Sequence, residues 1–352
     1  MKILVISLAG IGDTLIATPL LHELRANFPA ATIDALVMWP GAKDLLEHNP
    51  HVNRVFQKNL IKGGTLEAVR FLTALRREGY QLSINTHPQS RIHYRLAAWL
   101  AGAKTRVSHE YECFNWLDRR LVTGTLPQDY SIHAAENNLA VLPLIGAQKK
   151  LPTHELELFL TPAEEKWADD FLAGAGLAGK KWLGIHVGSG GTKNLALRRW
   201  PLENFIELAQ QLGAWQKDFP IFFFGGPEEA ASHDKIRAKL PAAIFPPTKN
   251  LRQAAALLRR ARAFLSVDTS LMHVAAAMKV PVQIVIETPT WNKPIEPFGN
   301  TFTLIKNPAV AGRNLEFYRY DGGDIKGTRE ELIACMQSVT VADVFATVTK
   351  LI

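Results

Sequence analysis

GIGDTLIATPLLHELRANFP, residues 10–29, follows the apolar run MKILVISLA at residues 1–9. An apolar run, a turn with glycines and then apolar residues at helical spacing read as a buried strand feeding a helix. In an α/β sheet, the turn after such a strand is where ligands bind. Gly10 and Gly12 allow a tight turn and close backbone approach by a ligand. The dinucleotide fingerprint is incomplete, because Leu15 stands where its third glycine belongs; Asp34 lies where its ribose-binding acid would be. Asp13 argues further against a phosphate cradle, since a carboxylate at a helix start occupies the anion position itself. Two readings of Asp13 stay open. It is a helix N-cap, or it is a general base, kept ionised by the helix dipole, that takes a proton from a hydroxyl nucleophile.

Working outward, the strand–helix alternation continues: strands at 31–37, 52–56, 81–85 and 105–108, helices at 15–27, 42–48, 65–78 and 91–101. It restarts after Leu160-Thr161-Pro162, where Thr161 caps a helix over 163–173 and Pro162 opens it. Strands at 182–186, 220–224, 263–267 and 282–286 follow, with helices at 201–212, 228–239, 251–259, 271–278 and 341–350. This order predicts parallel sheets with crossover helices. The fold class is α/β, with two Rossmann-like doubly wound domains facing a central cleft. The expected domains are 1–165, 180–335 and a C-terminal helical segment, 336–352, packing back on the N-terminal domain.

Three further stretches carry candidate chemistry. HVGSGGTKNLALRRWPLENF, residues 186–205, joins a strand end to a flexible loop; Ser189, Gly190, Lys193 and Arg198 suit a phosphate or diphosphate, or form a plain solvated basic loop. FFFGGPEEAA, residues 222–231, places Glu228 at a helix start, either as a dipole-stabilising turn residue or as a carboxylate for ribose hydroxyls. FLSVDTSLMHVAAAMKVP, residues 264–281, offers an anion site at Thr269 and Ser270, with Asp268 and His273 able to face the same ligand. Asp268 could equally be a cap, and His273 a solvent-facing helix residue.

Taken together these stretches resemble glycosyltransferase family 9, the ADP-heptose lipopolysaccharide heptosyltransferases, in order, spacing and nearly full length. The resemblance implies a GT-B architecture and inverting, metal-independent transfer. The acceptor would bind the N-terminal domain and the nucleotide-sugar the C-terminal one. It implies that Asp13 is the catalytic base, that Glu228 binds ribose, and that Lys249 and Asn250 lie near the adenine. Asp268 would hold donor-sugar hydroxyls, Thr269 and Ser270 the diphosphate, and His273 is the motif histidine. Gly10, Gly12 and Arg91 fall to the acceptor. The chain departs from the pattern at Ser270, usually glycine, and at Arg198, usually lysine, a change from a compact cation to a planar fork.

No cofactor beyond the nucleotide-sugar co-substrate, ADP-heptose, is expected, and no metal. A net charge of +7 suits an anionic partner; here that is an anionic glycolipid acceptor. Basic residues of the first half, among them Arg91, Arg95, Lys104, Arg106, Arg119 and Arg120, suit the acceptor and a peripheral contact with the inner membrane. No nucleic-acid motif accompanies the charge. No apolar run reaches membrane-spanning length and the start does not read as a signal peptide, so a cytoplasmic location is expected. Three rivals remain: an epimerase, hydrolase or transferase on another nucleotide-sugar, a nicotinamide-dependent oxidoreductase, and a non-catalytic nucleotide-sugar-binding module.

Overall fold

The computed structural model describes residues 1–190, 195–289, 293–310 and 328–352. The described residues divide into two compact units, one running from Met1 to Phe159 and the other comprising those from Leu160 onward.

In the first unit the order is β1 (Lys2–Ser7), α1 (Ile11–Ile16), α2 (Thr18–Asn27), β2 (Thr32–Val37), α3 (Pro40–Leu46), β3 (Arg54–Gln57), α4 (Gly64–Ala74), β4 (Leu82–Asn85), α5 (Ile92–Ala101), β5 (Thr105–Glu110), α6 (Trp116–Leu121), β6 (Gly124–Pro127) and α7 (Ala134–Leu139). All six strands are parallel, in the order β3-β2-β1-β4-β5-β6. Side chains alternate across a strand, and β1 shows the consequence. Ile3 and Val5 join one core with Leu20, Leu21 and Leu24 of α2. Leu4 and Ile6 join the opposite core with Leu72 of α4 and Ala97 and Ala98 of α5. Two covered faces explain why β1 reads as a continuous apolar run. Each fully buried leucine contributes roughly 1.5–3 kcal/mol.

Asp34 does not stand ready for a ribose. It is fully buried within β2, with its Oδ2 2.8 Å from both the Arg54 guanidinium and the Tyr80 hydroxyl.

The second unit contains α8 (Pro162–Gly174), β7 (Leu183–His186), α9 (Leu202–Trp215), β8 (Ile221–Phe224), α10 (Ala230–Lys239), α11 (Leu251–Leu258), β9 (Ala263–Ser266), α12 (Ser270–Ala277), β10 (Val282–Ile286), β11 (Phe302–Ile305), α13 (Arg329–Gln337) and α14 (Val341–Leu351). Its parallel strands run β11-β10-β9-β7-β8. Trp182 stacks with Phe222 and Phe224, and Phe264 meets Phe224 edge-on. A side chain at Gly184 would come within 3.0 Å of Phe264 and 3.1 Å of Phe224, so a larger residue would have to push these packed rings aside.

Two boundary expectations change. The helix expected at the domain junction, α8, belongs to the second unit. Its Thr161–Glu164 capping box forms as expected. Glu164 also binds Arg252 of α11 through both oxygens, at 2.5 and 2.8 Å. Burial works to raise the Glu164 pKa, but Arg252 and Thr161 hold it down to about 2. The C-terminal segment, expected on the N-terminal domain, packs instead within the second unit. Met336, Val339, Val344 and Val348 are buried with Phe205 and Leu212 of α9, and Trp200 donates to the Val339 carbonyl at 2.8 Å.

Among the described residues no single helix is long and apolar enough to cross a membrane.

Candidate functional site

The strand order of the first unit reverses between β1 and β4, and their carboxyl ends form its topological switch point. Asp13 sits there, half-buried, as the third residue of α1. The N-cap is Gly10 rather than Asp13, and the Asp13 carboxylate folds back to accept the Gly10 N–H at 2.6 Å. Neither Gly10 nor Gly12 adopts a left-handed φ, so the tight-turn reason for glycine does not hold. At Gly10 the reason is space: a Cβ would approach the Asp13 Oδ2 to 2.7 Å. Gly12 is an ordinary residue of the first helical turn.

Arg91 is exposed at the N-cap of α5. Tyr94, one turn on, has its pKa raised first by burial and then by the Asp13 charge, while Arg91 lowers it. Asp13 and Arg91 therefore act on one neighbourhood. Arg95, expected among the acceptor-facing cations, is fully buried instead. It donates to Asp118 at 2.5 Å, to the Gln89 carbonyl at 3.2 Å and to the Ser90 carbonyl at 2.7 Å, which fixes the loop after β4.

That loop holds polar residues sequence reasoning missed. The Gln89 amide donates to the carbonyls of Ile6 and Thr86, stitching the ends of β1 and β4 together. The Tyr111 hydroxyl accepts the Gln89 N–H at 2.8 Å and lies 3.1 Å from His87 Nδ1. Burial, aided by His109, holds the His87 pKa well below the usual histidine value, so the ring is neutral. The signal was positional: the polar run at 85–91 directly follows a central strand.

In the second unit the carboxyl ends of β7 and β9 are neighbours. Thr269 caps α12 by accepting the Met272 N–H at 3.2 Å, so Asp268 is not the cap. The Thr269 hydroxyl also meets His186 Nδ1 at 3.2 Å. Burial depresses the His186 pKa to about 3, and the neutral ring can accept the hydroxyl proton. Asp268 pairs with Arg198 at 2.5 Å. Burial raises the Asp268 pKa and Arg198 opposes the rise. The cation expected to face a diphosphate is thus engaged by a carboxylate.

Ser189 and Gly190 follow β7, and Arg199 bonds both, at 3.3 Å to the Ser189 hydroxyl and 3.1 Å to the Gly190 carbonyl. Ser270, the first residue of α12, is half-buried. His273 is buried rather than solvent-facing, and burial lowers its pKa to about 4. Its Nδ1 has no partner among the described residues. After β8, Glu228 is exposed, whereas Glu229 is buried. Glu229 accepts the Gly226 N–H at 2.9 Å, and its Oε1 lies where a side chain at Gly188 would sit, 2.2 Å from that Cβ. Asn250 is exposed and spends its side chain capping α11, while the Lys249 N–H binds Gln253 at 2.8 Å. Lys193 lies outside the described residues.

The family model of glycosyltransferase family 9 (heptosyltransferase) matches residues 69–316. The chain is 23% identical to lipopolysaccharide heptosyltransferase 3 of Escherichia coli over 97% of this chain and 96% of that one. It is 25% identical to lipooligosaccharide heptosyltransferase 2 of Haemophilus influenzae, over 87% and 88%. Among solved structures, a family 9 glycosyl transferase from Veillonella parvula superposes with a TM-score of 0.77 at 19% identity, covering 99% of this chain and 96% of that one. The ADP-heptose heptosyltransferase II of E. coli gives 0.72 at 20% identity, covering 100% and 98%. These structural likenesses establish the fold, and the two parallel α/β units accord with GT-B.

Proposed function

Since this chain belongs to glycosyltransferase family 9 and is therefore a glycosyltransferase, we propose that it transfers heptose from ADP-heptose to a hydroxyl of an anionic lipopolysaccharide-core acceptor. The observation that carries this reading is the Asp13 carboxylate at the switch point, held by the Gly10 N–H and the start of α1. Both interactions hold the carboxylate in place at the carboxyl end of the sheet, as a positioned general base requires. In this mechanism the acceptor hydroxyl attacks the anomeric carbon from the face opposite the diphosphate, with inversion, and Asp13 takes its proton. The leaving diphosphate gathers negative charge. The helix start of α12 and the Arg199 guanidinium are groups that stabilise such charge without a metal ion. Arg198 then acts mainly by holding Asp268 ionised and oriented toward donor-sugar hydroxyls.

Thermal melting with ADP, UDP, GDP, CDP and ADP-heptose, in chelator and without added metal, tests the donor. A ligand present at about 100 times its Kd adds about 2.7 kcal/mol. ADP and ADP-heptose should raise Tm and the other nucleotides should not. A rise with UDP or GDP alone would discard ADP-heptose as the donor.

The same reading places the enzyme at an anionic glycolipid surface. On α5 and α6, Leu96, Trp99, Trp116 and Leu117 are 38%, 43%, 62% and 44% exposed. Arg76 lies over the Trp99 ring and Arg120 over the Trp116 ring, at 5.5 and 4.9 Å. Aromatic rings beside cations suit a membrane interface. Each basic residue adds about 1 kcal/mol of attraction to an anionic leaflet. Trp116→Ala with Arg120→Gln should lower co-sedimentation with phosphatidylglycerol vesicles about tenfold or more, while binding to neutral vesicles stays low. Equal partitioning of variant and parent would remove the membrane contact from the proposal.

A further inference from the structure

We propose that His22, His51 and Glu157 form a binding site for a divalent transition-metal ion of the zinc type on the first unit, away from Asp13. Three segments distant in sequence converge there. His22 is on α2, His51 lies in the turn before β3, and Glu157 belongs to the stretch that ends the unit at Phe159. His22 Nδ1 is 2.8 Å from Glu157 Oε1, and His51 Nε2 is 3.3 Å from Glu157 Oε2. The two imidazoles stack with centroids 3.9 Å apart and 16° between their planes. One ligand atom from each residue falls within 4.8 Å of the other two.

Two imidazole nitrogens and a carboxylate oxygen are an established ligand set for zinc, at bond lengths of about 2.0–2.2 Å, which puts tetrahedral ligand atoms about 3.3 Å apart. The observed separations need only side-chain adjustment to reach that figure. Glu157 Oε2 is buried and accepts no hydrogen bond among the described residues, although His51 Nε2 faces it. A buried carboxylate oxygen without a donor is costly, and a cation beside it removes the cost. The ion pairs of Glu157 are with the two histidines, groups that also bind metal when neutral. His22 and Glu157 line a cavity of about 240 Å³ with Pro19, Leu151 and His154, which gives an ion an approach and room for a water ligand.

Affinity follows from the surroundings. Metal-binding histidines usually donate their second ring nitrogen to a protein acceptor, and losing that partner typically costs about 10–100-fold in affinity. His51 Nδ1 is buried with no partner among the described residues. The site is therefore expected to bind in the micromolar range. Its place in the fold makes it a staple rather than a catalyst. His51 precedes the first residue of β3 and Asp13 follows the last residue of β1, so in a parallel sheet they lie at opposite ends. The ion would tie α2, the turn at 49–52 and the end of the unit together. The inference stands or falls independently of the proposed transferase activity.

The test uses the full-length, untagged, chelator-treated protein at neutral pH, with zinc chloride in competition with a chromogenic chelator and with thermal melting as a second readout. One zinc per chain with a Kd of about 1–10 µM, and a rise in Tm, are expected. His51→Gln and Glu157→Gln should each weaken binding about tenfold or more, and His93→Gln, at an exposed position on α5, should not. His22→Asn, at the most exposed of the three positions, serves if the other two variants fail to fold, and its melt without zinc should match the parent. Zinc binding that ignores all the site variants would overturn the proposal. So would the absence of binding below about 1 mM, which would leave the three residues as an ion-pair cluster only.

Discussion

Asp13→Asn is expected to lower turnover about 10²–10⁴-fold, the usual contribution of a positioned general base, while leaving nucleotide affinity within about twofold. The asymmetry follows from where the residue sits. Asp13 belongs to the first unit, whereas the diphosphate candidates Ser189, Thr269 and Ser270 belong to the second. Asparagine keeps an oxygen that can accept the Gly10 N–H, so the start of α1 should survive. Loss of the charge near the helix dipole costs only about 0.3–1 kcal/mol of stability. Turnover of ADP-heptose with a core acceptor, together with calorimetric ADP affinity, separates the cases. Near-normal turnover with weakened ADP binding would refute the base assignment. Gly10→Ala gives a graded control. Its Cβ would meet the Asp13 Oδ2 at 2.7 Å, so the carboxylate must move while its charge remains. A loss smaller than that of Asp13→Asn would show that position and charge both matter.

The contrast between Asp13 and the second unit shows how far the sequence could be read. Parallel strands buried on both faces leave a continuous apolar signature, and β1, β2, β7 and β9 were legible for that reason. The short edge strands β6 and β11 were not, since GTLP and FTLI have partners on one side only and no long apolar run. The places of turns at strand ends were legible too, as at Gly10-Asp13 after β1 and Asp268-Thr269-Ser270 after β9. Pairing across the fold was not. Nothing local to Arg95 says that it is buried against Asp118, 23 residues on. Arg198 likewise reads as a free cation beside a glycine loop, until Asp268, 70 residues away, is found against it. The choice between Glu228 and Glu229 turns on which faces inward from the turn after β8. Adjacent acidic residues give a sequence reader no basis for that choice.

Arg198→Met is expected to cause the largest loss of stability at the proposed donor site, because it strands a carboxylate. Arg198 and Asp268 are 8% and 13% exposed. Breaking a buried pair from one side typically costs about 3–5 kcal/mol. At about 2–4 °C per kcal/mol for a unit of this size, the melting transition should fall roughly 6–20 °C. The pH dependence carries the sign that distinguishes a stranded charge from lost packing. Burial already raises the folded Asp268 pKa against the pull of Arg198, and removing the arginine raises it further. The folded variant then binds a proton more tightly than the unfolded chain, so falling pH relieves its deficit. The gap in Tm between variant and parent should therefore be wide at pH 8 and narrower at pH 5. Arg198→Met with Asp268→Asn should recover most of the lost stability, because no unpaired charge remains buried. If Arg198 serves by keeping Asp268 ionised and oriented, the stable double variant should still transfer sugar poorly. A gap that stays constant with pH would assign the loss to packing. Near-parental turnover in the double variant would remove both residues from the donor site.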